Sequence, residues 1–268
     1  MTLDNLAKLA CEAGREIYRI WTAGFTTQTK LDGSLVTIAD QRAEAIILAG
    51  LAELAPNTPV IAEEEVAAGR TPSFANRFFL VDPLDGTKGF SENRKGEFTV
   101  NIGLIEDNRP VAGVIYAPAS GALYAGGDGV AWRSVCDLES AVEIGPREMI
   151  RVADAPGPFR LVGSATYGGP KFSAFAASVG ASATTQASSS MKFCQVATGE
   201  ADIYPRFGGL CEWDVAAGHA ILAAAGGGLM RLDGTVLKYG RADEGFALDG
   251  LVAYGGRASE KAARAALG

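Results

Sequence analysis

Apolar side chains recur at helical spacing through Leu3, Leu6, Ala10, Ala13, Ile17 and Trp21, which predicts a first helix. Ala43, Ile46, Ile47, Gly50, Leu51 and Leu54 repeat the pattern and predict a second helix that starts near Ala39. The period then changes. Short apolar runs at 59–62, 78–81, 98–105, 111–116, 122–125 and 130–133 predict strands. Asn108-Arg109-Pro110 and Ser120-Gly121 mark turns between the later runs, and such short links favour antiparallel pairing. From 145 to 158 the chain is rich in Pro, Gly and Asp, which predicts a boundary between an N-terminal lobe, 1–148, and a C-terminal lobe, 149–268. Beyond it, strands at 160–163, 201–204, 228–231 and 251–254 alternate with helices at 171–179, 191–198, 213–224 and 259–266. That alternation is the pattern of an α/β unit.

Composition narrows the function. The 268 residues are 48% apolar and 21% charged, as in an ordinary globular enzyme, and carry a net charge of −7. The acidic balance opposes long nucleic acids and anionic membranes as partners. A small anionic ligand remains compatible where cations are recruited locally. No apolar stretch is long enough to span a bilayer, and the N-terminus lacks the basic and apolar regions of a signal peptide. Cys11, Cys136, Cys194 and Cys211 are far apart in the chain, which argues against a zinc site and against disulfides and for a reduced, cytoplasmic setting.

The candidate chemistry concentrates in Val81-Asp82-Pro83-Leu84-Asp85-Gly86-Thr87. Four apolar residues precede Asp82, and Pro83 is expected to end their strand. Two carboxylates then stand on a proline-stiffened turn, the oxygen donors that Mg²⁺ requires. Gly86 allows backbone N–H groups to approach an anion. Glu63-Glu64-Glu65 follows the apolar run at 59–62; by itself it reads as a solvated acidic turn, and beside Asp82 and Asp85 it offers a third carboxylate. Val36-Thr37-Ile38-Ala39-Asp40 reads either as a helix cap or as a carboxylate placed to accept a proton. In Cys211-Glu212-Trp213-Asp214-Val215-Ala216-Ala217-Gly218-His219, small residues allow close helix packing, and Asp214 either complements the helix dipole or binds metal. Ser189-Ser190-Met191-Lys192-Phe193 and Tyr204-Pro205-Arg206-Phe207 combine hydroxyls, cations and aromatic rings, which suit an anionic ligand with a flat base and are more often surface decoration when isolated. His219 has no evident partner and reads as structural.

Taken together, Asp82 to Thr87, Glu63-Glu64, Val36 to Asp40 and Trp213 to Gly218 resemble the lithium-sensitive, magnesium-dependent phosphatases of the inositol monophosphatase superfamily. The match covers nearly the whole chain and keeps the order and spacing of all four motifs. Asp85-Gly86-Thr87-Lys88-Gly89-Phe90, Gly96-Glu97-Phe98-Thr99-Val100-Asn101-Ile102 and Val114-Ile115-Tyr116-Ala117-Pro118 resemble its CysQ-type 3′(2′),5′-bisphosphate nucleotidase branch. The resemblance implies a layered αβαβα sandwich with an antiparallel sheet in the first lobe and the active site between the lobes. It implies two or three Mg²⁺ ions held by Glu63, Asp82, the Leu84 carbonyl, Asp85 and Asp214. Thr87 and Asp40 would form the dyad that deprotonates a water, Glu63 would share in catalysis, and the N–H groups of Gly86 and Thr87 would bind the scissile phosphate. Ser190, Lys192 and Arg206 would contact the nucleotide and its second phosphate, Arg206 through its two-pronged guanidinium. The implied reaction converts adenosine 3′,5′-bisphosphate, or its sulfated analogue, to AMP; the protein would act as a monomer or homodimer.

Two departures bear on substrate. Gly163-Ser164-Ala165-Thr166 stands where the branch carries Ser-Arg-Ser-His, and Leu35 replaces a proline before Val36. The alternatives are an inositol-1-phosphate or other sugar-phosphate phosphatase with the same metals, and a catalytically idle nucleotide- or RNA-binding fold. Retention of every motif carboxylate opposes the second.

Overall fold

The computed structural model describes residues 2–29, 35–92, 98–164 and 169–268. Ala165, Thr166, Gly96 and Glu97 of the motifs above lie outside these residues. Helix α1 (Leu3–Ala23) opens on a Thr2–Asn5 capping box. Strands β1 (Thr27–Thr29) and β2 (Leu35–Thr37) pair antiparallel and lead into α2 (Ile38–Leu54). Next come β3 (Val60–Ala62), α3 (Glu63–Ala67), β4 (Arg77–Asp85) and α4 (Thr87–Ser91). A meander follows: β5 (Thr99–Glu106), β6 (Arg109–Ala117), β7 (Ala122–Gly127), β8 (Val130–Val135) and β9 (Glu148–Met149). Among the described residues, β3 to β9 form a seven-stranded sheet in sequence order, antiparallel except for the β3–β4 pair.

After Met149 the chain runs irregularly to β10 (Phe159–Ser164), then α5 (Gly169–Ser178), β11 (Ala181–Ala187), α6 (Met191–Ala197) and β12 (Ile203–Cys211). It ends with α7 (Glu212–Ala224), β13 (Gly228–Arg231), β14 (Ala247–Tyr254) and α8 (Arg257–Leu267). The second sheet has the order β11-β10-β12-β14-β13; β10 is parallel to both neighbours, and β12, β14 and β13 are antiparallel.

The burial pattern stacks these elements in layers. On the first sheet Phe79, Val81, Ile102, Leu104 and Tyr116 face the cluster that includes Leu6, Ala10, Ile17, Ile47 and Leu51 of α1 and α2. Their strand neighbours Phe78, Leu80, Ile105 and Ile115 face the opposite way, toward Phe193 of α6 and Val215, Ala216 and Ile221 of α7. The far side of that central helical layer meets Tyr204, Leu229, Leu251 and Ala253 of the second sheet. Leu161, Ile203, Met230 and Val252 on its outer face pack with Phe175 and Ala263 of α5 and α8. The result is the αβαβα sandwich expected from the resemblance.

Helix α7 lies unusually close to the first sheet. Gly103, Gly113 and Gly126 sit side by side in register across β5, β6 and β7. A Cβ on Gly103 would come 2.7 Å from the Ala216 Cβ, one on Gly113 would come 2.4 Å from the Ala217 carbonyl, and one on Gly126 would come 2.5 Å from the Ile221 Cα. A row of hydrogens in place of side chains therefore lets the helix backbone descend onto the strands. Gly218 does the same on another side, where a Cβ would lie 2.5 Å from the Phe193 ring. The run Ala216-Ala217-Gly218 finds its partner surface here.

Three expectations are corrected. β4 continues through Pro83 to Asp85 instead of ending there. β11 lacks apolar alternation and is not among the expected strands. Cys11 and Cys136, 125 residues apart, are joined in a disulfide, because α1 packs across the sheet whose strand β8 leads directly into Cys136. Among the described residues no helix is long and apolar enough to cross a membrane.

Candidate active site

Asp82 and Asp85 share one face of the sheet because β4 bulges between them. In a regular strand, residues three apart point to opposite faces. Here Asp82 pairs with Asn101 and Asp85 with Thr99, so Pro83 and Leu84 together oppose the single residue Val100. The extra residue restores both carboxylates to the α7 side. Asp82 is 1% exposed, and its carboxylate accepts the Leu84 N–H at 2.9 Å. Glu63 follows β3, the parallel neighbour of β4, and Asp214 sits in the first turn of α7. The four acidic residues line one cleft of about 390 Å³ with Leu84, Gly86, Thr87, Ser190, Lys192 and Arg206.

Electrostatics reveals how closely the acids interact. Burial, and then the charges of Glu63, Asp85 and Asp214, push the Asp82 carboxyl well above its ordinary range. The Asp214 carboxyl is raised by burial and by Asp85, and it shares a hydrogen bond with Asp82. Asp85 is raised by burial, against the opposing charge of Lys192. Among the described residues no three histidine, cysteine or acidic side chains close on a single point at metal-ligand spacing. The four acids line one cleft, with Asp82 and Asp214 in hydrogen-bond contact. An all-oxygen set of this charge fits a hard divalent cation and fits little else.

Two of the acids are also helix caps. The Thr37 N–H and hydroxyl both donate to Asp40 Oδ2 at 2.7 Å, completing a capping box on α2. The other oxygen, Oδ1, accepts from the Thr87 hydroxyl at 3.3 Å, and that hydroxyl also lies 3.2 Å from the Leu84 carbonyl. Asp40 is 2% exposed, and burial lifts its carboxyl to about 7. Asp214 Oδ2 likewise accepts the Cys211 N–H at 2.7 Å and caps α7. At both positions a residue expected from sequence to serve the chemistry also caps a helix.

Gly86 has φ of 89°, a conformation that favours glycine, and it opens α4. The first helical bond there runs from the Phe90 N–H to the Gly86 carbonyl, so the helix does not use the N–H groups of Gly86 and Thr87. Of the expected ligand contacts, Lys192 is 5% exposed, with its ammonium 2.6 Å from the Ser189 carbonyl and 5.4 Å from the Tyr204 ring centre. Arg206 is half-buried and reaches the Gly209 carbonyl at 3.3 Å. Ser190 is 1% exposed, and its hydroxyl is engaged inward with Thr99 and Asn101. His219 pairs with the Tyr239 hydroxyl at 3.0 Å, away from the cleft lining.

The sequence reading missed Glu44. It stands one turn after Asp40 on α2, is 4% exposed, and accepts the Glu64 N–H at 2.9 Å, tying α2 to the segment that carries Glu63. The spacing of four from Asp40 was the available signal.

The sequence profile of the inositol monophosphatase family matches residues 2–266. The chain is 40% identical to the 3′(2′),5′-bisphosphate nucleotidase CysQ of Escherichia coli K12 and 41% identical to that of Shigella flexneri, in each case over 88% of this chain and 93% of the relative. Among solved structures, CysQ from Bacteroides thetaiotaomicron superposes with a TM-score of 0.74 at 31% identity, covering 95% of this chain and 97% of that one. The inositol monophosphatase of Anabaena superposes with a TM-score of 0.75 at 26% identity, covering 98% and 94%. With residues 2–266 matched by the family profile and the fold matched among solved structures, the chain belongs to the inositol monophosphatase family.

Proposed function

We propose that this protein is a Mg²⁺-dependent phosphatase that removes the 3′-phosphate of adenosine 3′,5′-bisphosphate, giving AMP and phosphate, and that also accepts the sulfated analogue. The observation that carries the reading is the convergence of Glu63, Asp82, Asp85 and Asp214 on one cleft, beside the Thr87–Asp40 pair, with Lys192 and Arg206 in the same lining. The similarity to CysQ nucleotidases over most of the chain supports the choice of substrate.

Glu63, Asp82, the Leu84 carbonyl, Asp85 and Asp214 would hold two or three Mg²⁺ ions. These ions would supply a water of lowered pKa and screen the charge that gathers on the phosphoryl and leaving oxygens. Thr87 passes its hydroxyl proton toward Asp40 and takes the proton of the attacking water. Asp40 serves as the final acceptor, its carboxyl held near neutrality by burial. The N–H groups of Gly86 and Thr87 bind the phosphate under attack. Lys192 and Arg206 neutralise the second phosphate, across a cleft between lobes 1–148 and 149–268. The P–O bond to the ribose breaks, the water's hydroxide joins the phosphate, and the ribose oxygen leaves as a hydroxyl by taking a proton from solvent, matched by release of the proton that Asp40 accepted.

Phosphate release from adenosine 3′,5′-bisphosphate and from inositol 1-phosphate, each with Mg²⁺ and with excess EDTA, tests the reading. Mg²⁺-dependent turnover that favours the bisphosphate is expected. Turnover in EDTA refutes the metal assignment, and a preference for inositol 1-phosphate refutes the substrate.

A further inference from the structure

Behind the two carboxylates of β4 lies a buried polar chain that the proposed chemistry does not use. Asp85 faces Thr99 across the β4–β5 pair, and Asp82 faces Asn101. Residues directly opposite in an antiparallel pair share a face and lie side by side. The two β5 side chains are linked through one hydroxyl. Ser190 donates to Asn101 Oδ1 at 2.6 Å and lies 2.8 Å from Thr99 Oγ1, which leaves Thr99 as the donor to Ser190. All three residues are at most 1% exposed. Ser190 does not belong to the first sheet; it precedes α6, in the chain's second half.

The same turn also grips Asp85. The Ser190 N–H donates to the Asp85 carboxylate, and the Ser189 hydroxyl donates to the Asp85 carbonyl at 3.0 Å. Ser189 has φ of 52°, a left-handed conformation uncommon for serine. A turn that adopts it so as to face Asp85 is built to hold that residue.

We infer that Thr99, Ser190 and Asn101 form a positioning relay, in which the Thr99 and Asn101 side chains anchor the Ser190 hydroxyl so that the Ser190 N–H, from the C-terminal half, fixes the orientation of Asp85 for cation binding. The relay rests on the metal-dependent reading of the cleft. It assigns Ser190 a role in setting metal affinity rather than in contacting the nucleotide. Buried hydroxyls that lose a partner leave the remaining polar groups unsatisfied, so each link is expected to matter by roughly five- to tenfold in metal affinity.

The test compares the wild type with Ser190→Ala, Thr99→Val and Thr99→Ser. Thr99→Val keeps the shape and removes only the hydroxyl; Thr99→Ser keeps the hydroxyl. Two quantities are read: the Mg²⁺ concentration that gives half of the metal-induced rise in melting temperature, and the separate kcat and KM for adenosine 3′,5′-bisphosphate. The relay predicts that Ser190→Ala and Thr99→Val raise the Mg²⁺ midpoint roughly five- to tenfold and lower kcat at subsaturating Mg²⁺, with KM within about twofold of wild type. Thr99→Ser should restore the midpoint. A raised KM in Ser190→Ala with an unchanged Mg²⁺ midpoint would overturn the relay and return Ser190 to the substrate. Unchanged values in both variants would overturn it as well. A wild type with no Mg²⁺-induced shift would overturn the metal reading itself and the relay with it, a result distinct from the other two.

Discussion

At the scale of single residues, the active site reuses groups that helix formation already requires. Asp40 and Asp214 each occupy the third position of a helix and satisfy a backbone N–H three residues earlier. From sequence, a cap and a catalytic carboxylate compete as explanations of Thr37-Ile38-Ala39-Asp40; in the molecule one oxygen of Asp40 makes the cap and the other meets the Thr87 hydroxyl, where the proposed base would act. The two roles separate experimentally. Asp40→Asn keeps an acceptor for the cap and loses the base, so kcat should fall by about 10²-fold or more while the melting temperature barely moves. Asp40→Ala loses both, and stability should fall by a further ~1 kcal/mol. Equal melting losses in both variants would argue against the shared role. His219 gives a pH signature of a different kind. Burial holds its folded-state pKa near 4, against an ordinary value of 6.5. Below pH 6.5 the unfolded chain takes up a proton that the folded chain refuses. The contribution of His219 should therefore decline from about pH 6.5 to about pH 4, by at most roughly 3 kcal/mol, and it should appear as the pH-dependent difference between wild type and His219→Gln in denaturant titrations.

At the scale of elements, two devices bring the acids together: the bulge in β4 and the glycine row under α7. Neither was readable from periodicity. A bulge is one extra residue, visible only once the opposing strand is known, and Pro83 by itself points to a strand end. The small residues of Ala216-Ala217-Gly218 indicated close packing, yet Gly103, Gly113 and Gly126 belong to three strands whose register no local pattern reveals. β11 escaped notice for a plainer reason: Ala-Ser-Ala-Thr-Thr-Gln-Ala lies exposed at the edge of its sheet and carries no buried alternation. The strongly periodic α1 was legible because burial of one helix face imposes the spacing, whereas α7, buried on most sides between the two sheets, carries little of it. Gly113→Val tests the glycine row. Its Cβ would sit 2.4 Å from a backbone oxygen of α7, so the helix must move, and Asp214 with it. Stability should drop by about 1–3 kcal/mol, and the Mg²⁺ needed for half-maximal activity should rise. An unchanged melting temperature would show that α7 is not seated as tightly as the glycine row implies.

At the scale of the whole molecule, the cleft is where the two sheets and the helical layer between them meet. The first sheet supplies Asp82 and Asp85, α3 just after its strand β3 supplies Glu63, and the central helical layer supplies Asp214. The layer order followed from family resemblance, since strand order in either sheet depends on long-range pairing that local sequence does not encode. The gathering of Glu63, Asp82, Asp85 and Asp214 in one cleft was legible because their motifs carry acidic residues at fixed places along the chain. The polar chain through Thr99, Ser190 and Asn101 was not, because its members are distant in sequence and individually ordinary. The central claim is that these distant acids bind cations as one group. Anomalous diffraction from crystals soaked in Mn²⁺, a hard divalent ion suited to the same oxygen ligands, tests it most directly. The account predicts anomalous peaks in the cleft in contact with carboxylate oxygens of Asp82, Asp85 and Asp214, and their weakening in Asp214→Asn. A cleft without anomalous signal, in crystals that bind Mn²⁺ elsewhere, would contradict it.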